Sequence, residues 1–345
     1  MPTILPQGLS FDDVLLVPRL GSGKSRFNGD IDLSTQITPH LRIKYPIISS
    51  NMDTVTSGNM AAKMEDLGAL GIPHRFMSPK EHLEELKKIP AGGRVACIGI
   101  GKNGLARLET LADIYLEVIL IDIAHGHCTA MIEQIQEVKR NQEGIPIIAG
   151  NVATYEGAMD LFEAGADVVK VGVGCGSLCT TRIQTGCGYP QLSAIIETKR
   201  ATENFRQRTI IADGGIRNGG DIVKALAAGA DAVMTGSLFT GTTEAPGEPF
   251  RLDGFLYKNY RGMASKAAQE SWKGTPTSIE GEIKRVPFQG PVQPIFNDVI
   301  NNVMSGMSYQ GASTLEDLRT NAVFVQQSSA GYIESGPHGL LRNGG

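Results

Sequence analysis

The chain has 345 residues, 41% hydrophobic and 20% charged, which is enough apolar material for one large domain with its own core. A net charge of -4 gives no general positive field, so nucleic acid and anionic membrane surfaces are excluded as partners and any phosphate must be held locally. No charged-then-apolar leader opens the sequence and no run of about 18 apolar residues could cross a bilayer, so the expectation is a cytoplasmic protein working on small molecules.

Eight short apolar runs follow one another along the chain: 46–51 (PIISSN), 70–74 (LGIPH), 95–101 (VACIGIG), 118–126 (VILIDIAHG), 145–151 (IPIIAGN), 168–174 (VVKVGVG), 209–215 (TIIADGG) and 232–237 (AVMTGS). Continuous rather than alternating Val/Ile content suits strands buried on both faces. Amphipathic segments at 80–88, 129–141, 155–164 and 220–228 lie between the runs. Strand and helix in alternation force a parallel sheet, and eight such units predict a closed (β/α)8 TIM barrel occupying 1–345 as a single catalytic domain. The 42 glycines, without collagen-like period or low-complexity tract, fall where such a fold needs tight turns.

Chemistry in this fold gathers beyond the C-terminal ends of the strands. Polar residues and glycines cluster there: Ser49-Ser50-Asn51-Met52-Asp53 after the first run, Asp122 to His127 after the fourth, Gly150-Asn151 after the fifth and Asp213-Gly214-Gly215 after the seventh. The loops after strands seven and eight are the usual phosphate cradle, and here they hold Gly214, Gly215, Gly236 and Ser237, with Asp213 able to accept from ribose hydroxyls. A nucleoside monophosphate is the natural ligand, although other phosphorylated metabolites use the same cradle in many barrels. The glycine-dense loop 171–191 after the sixth run is far longer than a strand-to-helix turn requires. Cys179 lies in it beside Arg182, with Thr180 and Thr181 as hydroxyl neighbours, a setting suited to an activated thiolate nucleophile. The five cysteines (Cys97, Cys128, Cys175, Cys179, Cys187) are odd in number and lack paired C-x-x-C spacing, so free thiols are expected, and Cys97 within the third strand reads as an inert core thiol. His125 and His127 flank Gly126 without a third donor in view, which favours structural or cofactor-lining roles over a metal site.

These segments resemble the IMP dehydrogenase and GMP reductase family over nearly the whole chain: LSFDDVLLVP, SSNMDTVT, DIAHGH, IPIIAGNVAT, GSLCTTR, IIADGGIRNGGDIVKALAAGAD, GSLFTGTTEAPGE, YRGMAS and SYQGASTLEDLR. The resemblance implies a homotetrameric TIM barrel in which a loop cysteine, matched by Cys179, bonds covalently to purine C2 while a nicotinamide cofactor exchanges hydride there. It implies phosphate contacts at Ser177, Gly215, Gly236, Ser237 and Tyr260, a ribose contact at Asp213, and base neighbours at Met52, Gly262 and Met263. Gly214, Ala264 and Gly281 complete the substrate set. Asp122 and Asn151 match the nicotinamide-side pair, while Arg75, Ala124, Ser305 and Ser308 fall where the family holds the rest of the cofactor. Gly174, Gly176, Cys179 and Arg182 match a loop that coordinates a monovalent cation such as K+ through carbonyl oxygens. Cys175 replaces the family's usual proline in that loop, and Cys187 stands where a branched aliphatic is common.

The resemblance also bears on which activity the chain has. Between strands two and three there is no regulatory CBS pair, the short flap 261–288 contains no Arg-Tyr pair after Ser265, and GYPQLSA (188–194) and HRF (74–76) read like the reductase form. The expected activity is therefore NADPH-dependent reduction of GMP to IMP and ammonia, with Thr181 and Glu280 as the pair that supplies a proton to departing ammonia. The alternative is an IMP dehydrogenase without CBS domains, turning IMP into XMP with NAD. An FMN- or phosphosugar-binding barrel would share the cradle but have no use for the Cys179 loop, and a non-catalytic nucleotide sensor would leave Cys179 unreactive. The polar, glycine-rich tail 328–345 is expected to be mobile unless a neighbouring subunit or ion holds it.

Overall fold

A computed structural model describes residues 5–21 and 30–337. Each of the eight apolar runs forms a strand: β1 (Ile47–Ser49), β2 (Leu70–Gly71), β3 (Val95–Ile98), β4 (Val118–Asp122), β5 (Ile147–Val152), β6 (Val168–Val171), β7 (Thr209–Asp213) and β8 (Ala232–Thr235). They make one parallel sheet in the order β2-β1-β8-β7-β6-β5-β4-β3, the curled arrangement of a TIM barrel. The closed ladder expected from sequence has one seam, because β2 and β3 are the two ends of this order. β2 is two residues long and runs into Pro73, which has no N-H to donate.

Two packed layers follow from the strand period of two. Side chains facing inward, among them Ile48, Leu70, Val95, Cys97, Val118, Leu120, Ile148, Val168, Ile211 and Met234, form one fully buried cluster with Ile37, Leu41 and Ile43. Ile43 belongs to an antiparallel pair, Thr35–Gln36 with Arg42–Ile43, and Ile37 and Leu41 to the turn that joins it; together they stopper the N-terminal end of the barrel. Outward residues such as Ile119, Ile147, Val169 and Ile210 pack under the helices.

The helices Thr129–Asn141 and Tyr155–Ala164 occupy the expected spans. Pro79–Lys87 and Gly219–Ala227 each sit one residue earlier than periodicity suggests, because a cap sets the start. Ser78 and Glu81 form a reciprocal capping box, and Asn218 Oδ1 accepts from the Asp221 amide at 2.9 Å. Beyond β8 the chain adds a three-stranded antiparallel sheet, β9 (Phe250–Leu252), β10 (Phe255–Arg261) and β11 (Ile283–Pro287), with the flap between β10 and β11. Within the tail, Ser329–Glu334 is helical and residues 338–345 lie outside the described residues. Among the described residues no helix is long and apolar enough to cross a membrane.

Cys97 is fully buried in the inner cluster and accepts from Asn51 Nδ2 at 3.4 Å, and burial pushes its thiol up to about 12. It is therefore a neutral packing group at any working pH. Cys97→Ala is expected to cost on the order of 1 kcal/mol in a denaturant titration, through lost packing.

Candidate active site

Two adjoining cavities open at the C-terminal ends of the strands, of about 430 and about 420 Å³. They share the wall made by Ser50, Met52, Ala124, Asn151, Asp213, Met263, Ala264 and Glu280. The first also takes in the loop from Gly172 to Cys179, Gly214 to Arg217 and Gly236 to Ser237, which brings together nearly all the residues matched to substrate contacts. The second is lined by Arg75, Phe76, Asp122 and Lys170, the side assigned to the cofactor.

In the first cavity, Gly214 and Gly215 adopt φ of +94° and +79°, conformations that glycine reaches without strain. A side chain at Gly214 would also strike Cys175 Sγ at 2.9 Å. Gly236 faces the Tyr260 hydroxyl and Met52 sulfur so closely that a Cβ would lie 2.9 and 3.1 Å from them. The Tyr260 hydroxyl meets Ser177 Oγ at 3.1 Å, and burial raises its pKa above the ordinary phenol value. Ser237 Oγ donates to the Ile216 carbonyl at 3.0 Å, so the hydroxyl expected on a phosphate would have to rotate from that bond.

Cys179 stands on a turn closed by its amide to the Gly176 carbonyl at 3.1 Å. Its thiol donates to Thr181 Oγ1 at 3.1 Å, and Thr181 donates to Glu280 Oε2 at 2.7 Å. The Glu280 carboxylate is held a second time by Ser278 Oγ at 3.0 Å, while its backbone carbonyl accepts from the Thr180 amide. Glu280 is thus a fixed, half-buried group rather than a solvated loop carboxylate. The flap that carries it is braced by Gln269, which donates to the Ala264 and Ser278 carbonyls and accepts from the Thr277 amide.

Cys175 is rigidly tied although it replaces a proline: its thiol donates to Gln191 Oε1 at 3.1 Å and to the Asp213 carbonyl at 3.3 Å. Burial, with the Asp213 charge beside it, pushes this thiol up to about 12, which removes it as a competing nucleophile. Of the carbonyls matched to a cation, those of Gly176 and Arg182 already accept from the Cys179 and Gly186 amides, and each retains a second lone pair.

On the other side, Arg75 donates to the Asp122 carbonyl at 3.2 Å, and its guanidinium lies over the Phe76 ring. Phe76 stacks on Trp272 of the flap helix at 5.6 Å. Arg107 holds this loop from below through the carbonyls of Arg75, Met77 and Ser78. Asn151 donates to the Gly172 carbonyl and to Asp213 Oδ2, while its own Oδ1 is buried without a partner. Ser305 and Ser308 line neither cavity. They lie on the helix Val292–Tyr309, which packs against Gly219–Ala227 on the outside of the barrel. His127 Nε2 pairs with Asp160 at 2.8 Å, and no group of three metal-binding side chains occurs among the described residues.

Sequence reasoning missed Lys170 and Gln191. Lys170 does carry a sequence signal: a lysine inside the apolar run VVKVGVG is a charge that must be paired if the strand is buried. Gln191 carries none that we can name.

A sequence model of the IMP dehydrogenase / GMP reductase domain matches residues 8–338. The chain is 37% identical to the inosine-5'-monophosphate dehydrogenase of Borreliella burgdorferi, with 98% of each chain covered. It is 33% identical to that of Aquifex aeolicus, covering 97% of this chain and 96% of the relative. The second alignment runs over 476 positions, well beyond the 345 residues present here. Among solved structures, a cysteine-to-alanine variant of GMP reductase from Trypanosoma brucei in complex with guanosine 5'-monophosphate superposes with a TM-score of 0.91 at 29% identity, covering 97% of this chain and 98% of the other.

Proposed function

The chain belongs to the IMP dehydrogenase / GMP reductase family, and from that premise we propose that it is a GMP reductase, converting GMP and NADPH to IMP, ammonia and NADP. The observation that carries this reading is the flap, which lays Glu280 on Thr181 and brings no Arg-Tyr pair to prepare water for attack on a purine adduct. The curated relatives named as dehydrogenases favour the reverse assignment, oxidation of IMP to XMP with NAD. Against it stands the absence of the residues that would activate water.

In this reading GMP lies in the first cavity, its phosphate on Ser177, Gly215, Gly236, Ser237 and Tyr260. Lys170 and Asn151 already occupy Asp213 Oδ2, so Oδ1 is the oxygen that accepts from the ribose. Cys179 Sγ attacks purine C2 and its proton passes along Thr181 to Glu280. As the C2-N bond breaks, the same carboxylic acid returns a proton to the departing amine. The orphaned Asn151 Oδ1, the Asp122 carboxylate and the Arg75-Phe76 face suit a nicotinamide nucleotide in the second cavity. When bound there, NADPH would supply the hydride that C2 requires, and the C2–Sγ bond would break as IMP forms, leaving Cys179 as the thiolate. K+ at the Gly174, Gly176, Cys179 and Arg182 carbonyls and a homotetrameric assembly belong to the same proposal.

Purified protein given GMP and NADPH should oxidise the cofactor and release ammonia in equal amounts, followed by nicotinamide absorbance and an ammonia assay. IMP with NAD should yield little or no XMP. Steady XMP formation would overturn the assignment.

A further inference from the structure

The inward positions one layer above the buried cluster are Asp122 on β4, Gly150 on β5, Lys170 on β6 and Asp213 on β7, each two residues beyond an inward apolar side chain. Asp122 is directly opposite Gly150, and Gly150 directly opposite Lys170. A Cβ at Gly150 would lie 2.7 Å from the Lys170 Cβ, so the missing side chain on β5 is what gives the lysine room. Lys170 is only 3% exposed and meets Asp122 Oδ1 at 2.8 Å and Asp213 Oδ2 at 2.5 Å.

We propose that Lys170 is a positioning residue shared by the two halves of the site, its one ammonium aiming Asp213 at the nucleotide and Asp122 at the cofactor across the gap left by Gly150. This rests on the reading of those two aspartates given above. Each carboxylate has further neighbours. Asp122 faces Asn51 from the end of β1, Arg75 from the loop after β2 and Cys97 from β3. Asp213 faces Asn151 from β5, with Cys175, Gln191 and Tyr260 around it. Among the described residues Lys170 alone touches both. Burial opposes the Asp122 charge, but Lys170, Arg75 and Asn51 outweigh it and hold the carboxyl below its ordinary value.

The test compares Lys170→Met with Asn51→Ala; of the two aspartates Asn51 touches only Asp122, besides its contact to Cys97. Binding of GMP and of NADPH is measured separately by calorimetry. Lys170→Met should weaken both ligands by roughly tenfold or more, and Asn51→Ala only NADPH. Loss of one ligand alone in Lys170→Met, or of neither, overturns the shared role. If wild-type protein binds neither GMP nor NADPH, the functional reading fails, and a ligand-free measurement still judges Lys170. In wild type, the lowered Asp122 pKa gives stability that is present above the unfolded value of about 4 and lost on acidification. Without the ammonium, burial is opposed only by Arg75 and Asn51, so the folded pKa moves upward and this contribution shrinks. The Tm deficit of Lys170→Met relative to wild type should therefore be smaller at acid pH, where Asp122 is protonated in both proteins, than at about pH 7, a trend that lost packing alone would not produce. A constant Tm difference overturns the proposal. Should Lys170→Met not fold, Lys170→Arg, which keeps the charge but not the ammonium's geometry, decides: weakening of both ligands supports the shared role, and weakening of one alone or of neither overturns it.

Discussion

Replacement of Cys179 by Ala should reduce GMP turnover to below about one part in 10⁴ of wild type, the scale on which removal of a covalent nucleophile acts. The size of the effect follows from the geometry, because Cys179 alone presents a thiol to Thr181 and Glu280. The other loop thiol, Cys175, is spent on Gln191 and the Asp213 carbonyl and is held neutral by burial, so it cannot substitute. GMP affinity should stay within a few-fold, since the phosphate and ribose contacts lie on other parts of the cavity wall. Stopped-flow cofactor oxidation and calorimetry on the same sample separate the two quantities. A variant retaining even a few per cent of wild-type kcat would rule out covalent catalysis at this residue.

Glu280→Gln should lower kcat by about a hundredfold, the usual contribution of general acid-base catalysis, and should leave KM for GMP nearly unchanged. The amide keeps one acceptor for either Thr181 or Ser278 and cannot take or return a proton. The loss should therefore fall on ammonia release rather than on binding. Single-turnover traces that follow ammonia and nicotinamide separately would show the first slowed more than the second. Normal turnover would make Glu280 a structural brace of the flap and send the proton by another route. A fall confined to KM would likewise remove it from the chemistry.

All eight strands were legible in the sequence, because a strand buried on both faces must be continuously apolar and polar or glycine residues interrupt those runs at the strand ends. The Cys179 loop was legible for the same reason: its length and glycine content exceed anything a turn requires. Two of the four expected helix starts were one residue off, since they depend on which polar side chain reaches back to a free amide, as Ser78 and Asn218 do. The seam between β2 and β3 was hidden too, because pairing depends on how far two short strands overlap in space. Ser305 and Ser308, which fall where the resemblance puts cofactor contacts, sit on an outer helix and are not among the lining of either cavity. Sequence order says nothing about which face of the barrel such a helix covers. The chain by itself determined the barrel, the thiol loop and the polar strand ends, all of which are patterns of local period and composition. The resemblance paired Thr181 with Glu280, 99 residues apart, and only the tertiary structure decided that the Cys179 thiol reaches that pair through Thr181 Oγ1 and that one lysine crosses above Gly150 to hold two aspartates. Those contacts exist because strands β4 to β7, distant along the chain, bring their inward positions to a common height at the mouth of the barrel.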